Sequence, residues 1–201
     1  MTVPLPKTLL EMAGAGTAPP ALSDSILVLI DCQMEYVDGR LPLSGVAAAL
    51  GQAGRLLRRA REGGAEVVHV VHHGRPGGLF GVDGAGVEIA PEVRPLEGER
   101  VISKQLPNAF AATELEGALA ASGRKSVVFG GFMTHMCVSS TVRAALDLGY
   151  QSTVVAGACA TRDLPDGRGG VIAAAALHQA ELAALADRFA LIVDDAGAFT
   201  A

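Results

Sequence analysis

Residues 25–31, Ser-Ile-Leu-Val-Leu-Ile-Asp, form an unbroken apolar run that closes on an acid. Alternating polarity marks a strand with one wet face, whereas continuous apolarity marks a strand covered on both faces, as in parallel sheets. Further strand-like runs stand at 66–72, 100–103, 126–129, 151–156 and 190–193. The spans between them carry helical spacing. Over 45–62, Val46, Leu50, Ala53, Leu56, Leu57 and Ala60 recur at three- and four-residue steps. Arg55, Arg58, Arg59 and Arg61 hold the remaining face, and Gly63-Gly64 stop the helix. Spans 113–121, 137–148 and 171–186 predict further helices. Strands alternating with helices call for a single-domain α/β fold, three layers α/β/α, around a central parallel sheet of about six strands.

A chain of 201 residues, 50% hydrophobic and 18% charged, can bury the core of one such domain. Residues 1–24, broken by Pro4, Pro6, Pro19 and Pro20, read as a surface arm with one short helix at 8–12. Residues 25–201 read as the domain. No apolar stretch approaches the roughly 20 residues that cross a bilayer. The start lacks a basic segment leading into an apolar run, so a cytoplasmic protein is expected. A net charge of −5 and the absence of Trp argue against nucleic acid or an anionic membrane as partner. A small-molecule substrate remains. Cys32, Cys137 and Cys159 form no even disulfide set and no C-x-x-C spacing, which fits a reducing compartment.

Chemistry gathers at strand ends. Residues 126–149 read as a β run, a glycine turn and a helix whose first turn carries Cys137, with Thr134 placed to cap it. Unpaired N–H groups and the positive end of a helix dipole would favour a thiolate, the nucleophilic form. Position alone favours a buried apolar filler. Asp31 and Lys104, however, end two other runs. In doubly wound sheets the ligand crevice lies beyond the carboxyl ends of the strands, where strand order reverses. Three residues far apart in sequence are therefore expected to converge there.

Asp31-Cys-Gln33, Ser103-Lys104-x-x-x-Asn108-Ala-Phe110 and Gly130-Gly-Phe-Met-Thr-His-Met-Cys137-Val138 resemble the motifs of the isochorismatase-like cysteine hydrolases. That family includes nicotinamidases, N-carbamoylsarcosine amidases and ureidoacrylate amidases, and the resemblance runs from about 25 to 193. It implies an isochorismatase-like hydrolase fold and a catalytic triad of Asp31, Lys104 and Cys137. Asp31 would accept the thiol proton, Lys104 would favour both anions, and Cys137 would attack a carbonyl carbon. The resemblance further implies a cis peptide at Phe132–Met133 and an oxyanion hole built from the backbone N–H groups of Met133 and Cys137. Hydrolysis of a C–N bond in a small amide or carbamoyl compound, through a thioester, is the implied activity. It needs no cofactor. A vinyl-ether hydrolase of the isochorismatase type and a catalytically silent binding subunit are the alternatives, the first disfavoured by the cysteine. Homo-oligomers, dimer or tetramer, are usual for the family.

Gln33, Tyr36, Phe110 and His135 are the first candidates for the pocket wall, with core packing the alternative for Phe110 and helix capping for His135. Some family members bind a metal through Asp-x-His. This chain has His72-His73-Gly-Arg-Pro instead, and adjacent histidines on an extended backbone point apart, so no metal site is expected. Cys32 and Cys159 read as buried filler and His178 as a packing residue, while Thr161 and Arg162 lie near the expected crevice. The irregular 73–98 segment is long enough to be a functional flap.

Overall fold

The structure, a computed structural model, describes residues 5–199. In chain order its strands are β1 (Ser25–Ile30), β2 (Glu66–His72), β3 (Arg100–Lys104), β4 (Ser126–Phe132), β5 (Gln151–Ala160), β6 (Leu164–Pro165), β7 (Val171–Ile172) and β8 (Ala190–Val193). The helices are α1 (Leu9–Met12), α2 (Val46–Glu62), α3 (Leu115–Ser122), α4 (Ser139–Asp147) and α5 (Ala174–Arg188). Six strands form one sheet in the order β3-β2-β1-β4-β5-β8, every neighbouring pair parallel. The chain winds outward from β1 to β3, then returns to the other side of β1 with β4. The crevice beyond β1 and β4 is thus the place where an open sheet of this kind receives a ligand.

β1 explains why the sheet is central. Its side chains alternate between two buried layers, and all six residues are buried. Leu27 and Leu29 pack with Leu50, Leu56 and Leu57 of α2 on one face. Ile26, Val28 and Ile30 pack with Leu115 and Leu119 of α3, Val142 of α4 and Leu185 of α5 on the other. Each such side chain contributes about 1.5–3 kcal/mol on burial. Leu57, on the buried stripe of α2, would lose about 2–5 kcal/mol if cut to alanine.

Several boundaries differ from those read in the sequence. β4 runs on to Phe132, three residues beyond the expected end, because Gly130-Gly131 remain in the strand and the turn comes later. A register shift against β5 falls between Phe129 and Gly131. Gly131 has φ +120°, and a Cβ there would stand 2.0 Å from the Ile30 carbonyl oxygen, so only glycine lets β4 pass β1 this closely. The expected helix at 137–148 begins as a single wide turn over Thr134–Val138 and becomes α4 at Ser139. The last helix starts at Ala174, not at 171, because Val171–Ile172 pair antiparallel with Leu164–Pro165 as a small hairpin. At the other end of the chain, α1 opens on Thr8 in a reciprocal cap with Glu11, and Leu9 N–H donates to Asp187 Oδ1 at 2.9 Å. No helix among the described residues is long and apolar enough to cross a membrane.

Candidate active site

Asp31 is the first residue beyond β1, and the chain turns sharply on it. Its φ is +51°, a left-handed conformation that Asp tolerates better than most residues. Its N–H still extends the sheet by donating to Val70 O at 2.8 Å, and its carbonyl accepts from Gln33 N–H at 2.8 Å. The side chain is wholly buried. Lys104 closes β3, two strands away, and its long stem carries Nζ across β2 to within 2.7 Å of Asp31 Oδ2. Nζ also donates to Cys137 Sγ at 3.3 Å and meets His72 Nδ1 at 3.3 Å. An ammonium has three donors, and here each faces an acceptor.

Cys137 sits in the wide turn beyond β4 and is 4% exposed. Burial, and after it the neighbouring Asp31 carboxylate, push its thiol up to about 12, with Lys104 pulling the other way. The resting group is a thiol. This corrects the expectation of a thiolate favoured by the helix start: desolvation and a carboxylate outweigh the dipole. Asp31 is raised by burial, against the opposing pull of Lys104 and of the adjacent Cys137 thiol. Burial is the larger influence, so the carboxyl stays raised although Lys104 Nζ lies 2.7 Å from Oδ2. A carboxylate raised by burial is a stronger proton acceptor than a solvated one.

The Phe132–Met133 peptide is cis. The Met133 N–H, just past the strand, meets no acceptor among the described residues. Met133, not Thr134, occupies the cap position, and no side chain caps this turn. Thr134 instead donates its hydroxyl to Ala160 O at 3.1 Å and contacts His178 Nδ1 at 2.8 Å, which ties the turn to the end of β5 and to α5.

Two of the pocket-wall candidates have other work. The Gln33 amide donates to His72 O at 3.0 Å and Val87 O at 2.8 Å, and accepts from His72 N–H at 2.8 Å. It is a buried brace between β2 and the following segment, with both amide donors spent. Phe110 stacks on Tyr150, ring centroids 6.3 Å apart, and packs on the α3–α4–α5 core. Tyr36 is buried edge-on to Phe80 and Phe132, and burial together with Asp31 pushes its hydroxyl well above the usual range. His135 engages Thr161 Oγ1 through Nδ1, while its buried Nε2 finds no partner among the described residues.

The histidines of β2 part company. His69 lies inside β2 with Nε2 3.1 Å from Glu99 Oε2. His72 faces Lys104, and burial, then Lys104, hold it down at about 4, so it is a neutral acceptor. His72 was legible only as a metal candidate. Its real role follows from register, since β2 and β3 set His72 and Lys104 side by side.

The 73–98 segment folds back over this end of the sheet. Met34 N–H donates to Glu88 O and Ala90 N–H to Cys32 O, both against the turn that follows Asp31. The buried Glu35 accepts Arg40 N–H at 2.9 Å and Phe80 N–H at 3.3 Å. A Cβ on Gly86 would lie 2.2 Å from Glu35 Oε2, so the segment crosses Glu35 with no room for a side chain. Phe80, at φ +54°, is inserted between Tyr36 and His72, whose rings lie 4.9 and 5.3 Å away. Beside it opens a cleft of about 950 Å³ lined by His72, His73, Arg75, Ser103, Lys104 and Gln105, among others.

Fold and site together define a three-layer α/β/α domain with a buried Asp–Lys–Cys cluster at its topological switch. Residues 25–196 match the isochorismatase domain, and the chain belongs to that family. It is similar to the secreted isochorismatase effector Isc1 of Verticillium dahliae, 37% identical over 91% of this chain and 94% of that protein. A crystal structure of an isochorismatase from Pseudomonas putida KT2440 superposes with a TM-score of 0.92 and 42% identity, covering 98% of this chain and 100% of that one. The maleamate amidohydrolase of Pseudomonas putida is 35% identical over 64% of this chain and 68% of its own length. The chain is accordingly an isochorismatase-family hydrolase, with relatives that cleave C–N bonds.

Proposed function

We propose that the protein hydrolyses a C–N bond of a small amide or carbamoyl compound, with Cys137 as nucleophile, Asp31 as general base and acid, and Lys104 as the fixed cation. The carrying observation is the single Lys104 Nζ placed 2.7 Å from Asp31 and 3.3 Å from Cys137. In the first half-reaction Asp31 takes the thiol proton as Sγ bonds to the carbonyl carbon. The carbonyl oxygen becomes an oxyanion, received by the N–H groups of Met133 and Cys137. Asp31 gives its proton to the departing nitrogen, the C–N bond breaks, and an amine or ammonia leaves behind a thioester. Asp31 then takes a proton from water as its oxygen attacks the thioester, the C–S bond breaks, Asp31 returns the proton to Cys137 Sγ, and the acid leaves. The resting thiol suits this sequence, because the proton that Asp31 must deliver to nitrogen is already on Sγ. His72 holds Lys104 in register as a neutral acceptor.

A thiol at the centre favours amide over vinyl-ether chemistry, which has no use for a nucleophilic sulfur. The test is ammonia release from a panel of primary amides and carbamoyl compounds by wild type and Cys137→Ala. Loss of all turnover in the variant supports the reading; a variant as active as wild type sinks it. We further propose a cytoplasmic homodimer or homotetramer, and light scattering that returns a 20.5 kDa particle would refute the assembly.

A further inference from the structure

Cys137 rides on one wide turn, Thr134–Val138, which opens at Met133 and which no side chain caps. Much of what holds it comes from α5. His178 and Glu181 stand three residues apart on that helix, hence on one face, and meet the turn at its two ends. His178 Nδ1 lies 2.8 Å from Thr134 Oγ1, while Glu181 Oε1 accepts from the hydroxyl of Ser139, the residue after the turn, and from Arg143 Nη2 at 3.0 Å. The start of α5 is fixed in its own right by Asp163 Oδ1, which accepts Ala174 N–H at 2.7 Å.

Proton counting gives the His178 contact a direction. Thr134 is wholly buried, and the one hydrogen of its hydroxyl goes to Ala160 O at 3.1 Å, an atom that can only accept. His178 is therefore the donor. Burial lowers its pKa and keeps the ring neutral, so its single N–H is the one on Nδ1. The chain from His178 Nδ1–H to the Thr134 hydroxyl to Ala160 O runs from α5 through the turn to the end of β5. Thr134 adjoins Met133, and Ala160 faces Phe132 in the β4–β5 ladder, so the relay brackets the Met133 N–H.

We infer that His178 and Thr134 are positioning residues for the oxyanion hole: the Nδ1 hydrogen of His178 fixes Thr134, and Thr134 holds the Met133 N–H where the carbonyl oxygen gathers charge. The inference rests on the proposed thioester route and adds two residues that act through the turn. Displacing a donor by about 1 Å costs on the order of 10²-fold in rate. A hydrogen bond behind the hole thus governs acyl transfer while leaving the reactivity of the sulfur alone.

The experiment sets two reagents against each other on the intact protein, with Cys137→Ala as the blank. p-Nitrophenyl acetate acylates Sγ through a tetrahedral oxyanion: the S–C bond forms, the thiol proton passes to Asp31 and p-nitrophenolate leaves. Iodoacetamide alkylates Sγ by displacing iodide, with the proton passing the same way, and makes no oxyanion. Thr134→Val and His178→Leu should slow acylation about tenfold or more, with alkylation within about twofold of wild type. Thr134→Ser, which keeps the hydroxyl, and His178→Asn, whose Nδ2–H replaces the Nδ1–H, should recover most of the rate, and His178→Gln should not. In wild type carrying isotope-labelled histidine, the two-bond nitrogen–proton NMR spectrum should place the hydrogen of His178, assigned through its backbone resonances, on Nδ1. That measurement needs no variant to fold. A hydrogen on Nε2, acylation indifferent to both truncations, acylation and alkylation falling together, or a His178→Asn protein no better than His178→Leu each overturn the inference and leave the triad standing. If wild type alkylates but does not acylate, the oxyanion hole fails as an assignment and the inference falls with it; if neither reagent reacts, the reading of Cys137 as nucleophile falls, and the inference with it.

Discussion

Two ion clusters lie under the same half of the sheet, one around Glu99 and one around Asp31, and they are treated in opposite ways. Glu99 Oε1 accepts Arg61 Nε at 2.8 Å, while Oε2 faces Arg61 Nη2 at 2.8 Å, Leu96 N–H at 2.9 Å and His69 Nε2 at 3.1 Å. Partial burial works against its charge, but these donors prevail and hold the carboxyl down at about 2. Asp31, wholly buried, has Lys104 and a thiol for company, and its carboxyl is raised. A saturated carboxylate joins α2, β2 and the end of the flap. A wholly desolvated one keeps an appetite for a proton. Burial and the number of donors together separate the two: Glu99 keeps some contact with water and has several donors, and Asp31 is shut away with one cation and a thiol.

That contrast can be broken first at the reactive cluster. Asp31→Asn keeps the shape but removes the proton acceptor, and steady-state assays should show amide turnover falling by about 10²–10⁴. It also leaves Lys104 buried without its counter-charge, so thermal or urea unfolding should reveal a loss of about 3–5 kcal/mol. A protein that keeps wild-type turnover would mean Asp31 is structural. His72→Phe tests the third side of Lys104. A fall in kcat of about tenfold, recovered in part by His72→Asn, is expected if the acceptor positions the ammonium; equal loss in both variants would point to packing.

At the saturated cluster, Glu99→Gln should cost about 1–3 kcal/mol of stability with kcat within about twofold of wild type. A loss of turnover as deep as that of Asp31→Asn would erase the distinction between the clusters. Acid titration sharpens it. Glu99 is lower in the folded chain than in the unfolded one, so its contribution is complete above about pH 4.5 and drains away toward pH 2. Asp31 has the opposite sign: raised on folding, it favours the fold only when protonated, and that contribution is lost as the pH climbs through its folded value. Comparing unfolding of Glu99→Gln with wild type from pH 2 to 7 should show the difference shrinking toward acid. The smallest effect concerns the thiol. With Cys137 pushed up to about 12, iodoacetamide labelling of the free protein should quicken steadily from pH 7 to 10, and a plateau by pH 7 would show a thiolate at rest.

Much of the site was open to reading because its parts are local. An acid closing an apolar run, a lysine closing another and a cysteine after two glycines are features of single segments, and parallel topology carries each to the same edge. The helix start after β4 misled for a related reason. Thr134 has a capping side chain, but its hydroxyl finds Ala160 and His178 across the fold, and such partners leave no trace in neighbouring residues. Gln33 and Phe110 suit a pocket wall by residue type alone, yet one braces the flap and the other packs on Tyr150. Glu35 gave no signal, since a carboxylate beside a tyrosine in a loop is ordinarily a wet one.

The layered sheet, its strand count and the three strand ends proposed to carry the chemistry can be read from consecutive residues, because burial pattern and strand periodicity are local. That Lys104 spans β2 to reach Asp31, that His72 is its third partner and that burial pushes the Cys137 thiol up emerge only from the folded chain. Those depend on inter-strand register and on the dielectric around each group, and both are properties of the packed chain, absent from any stretch of it.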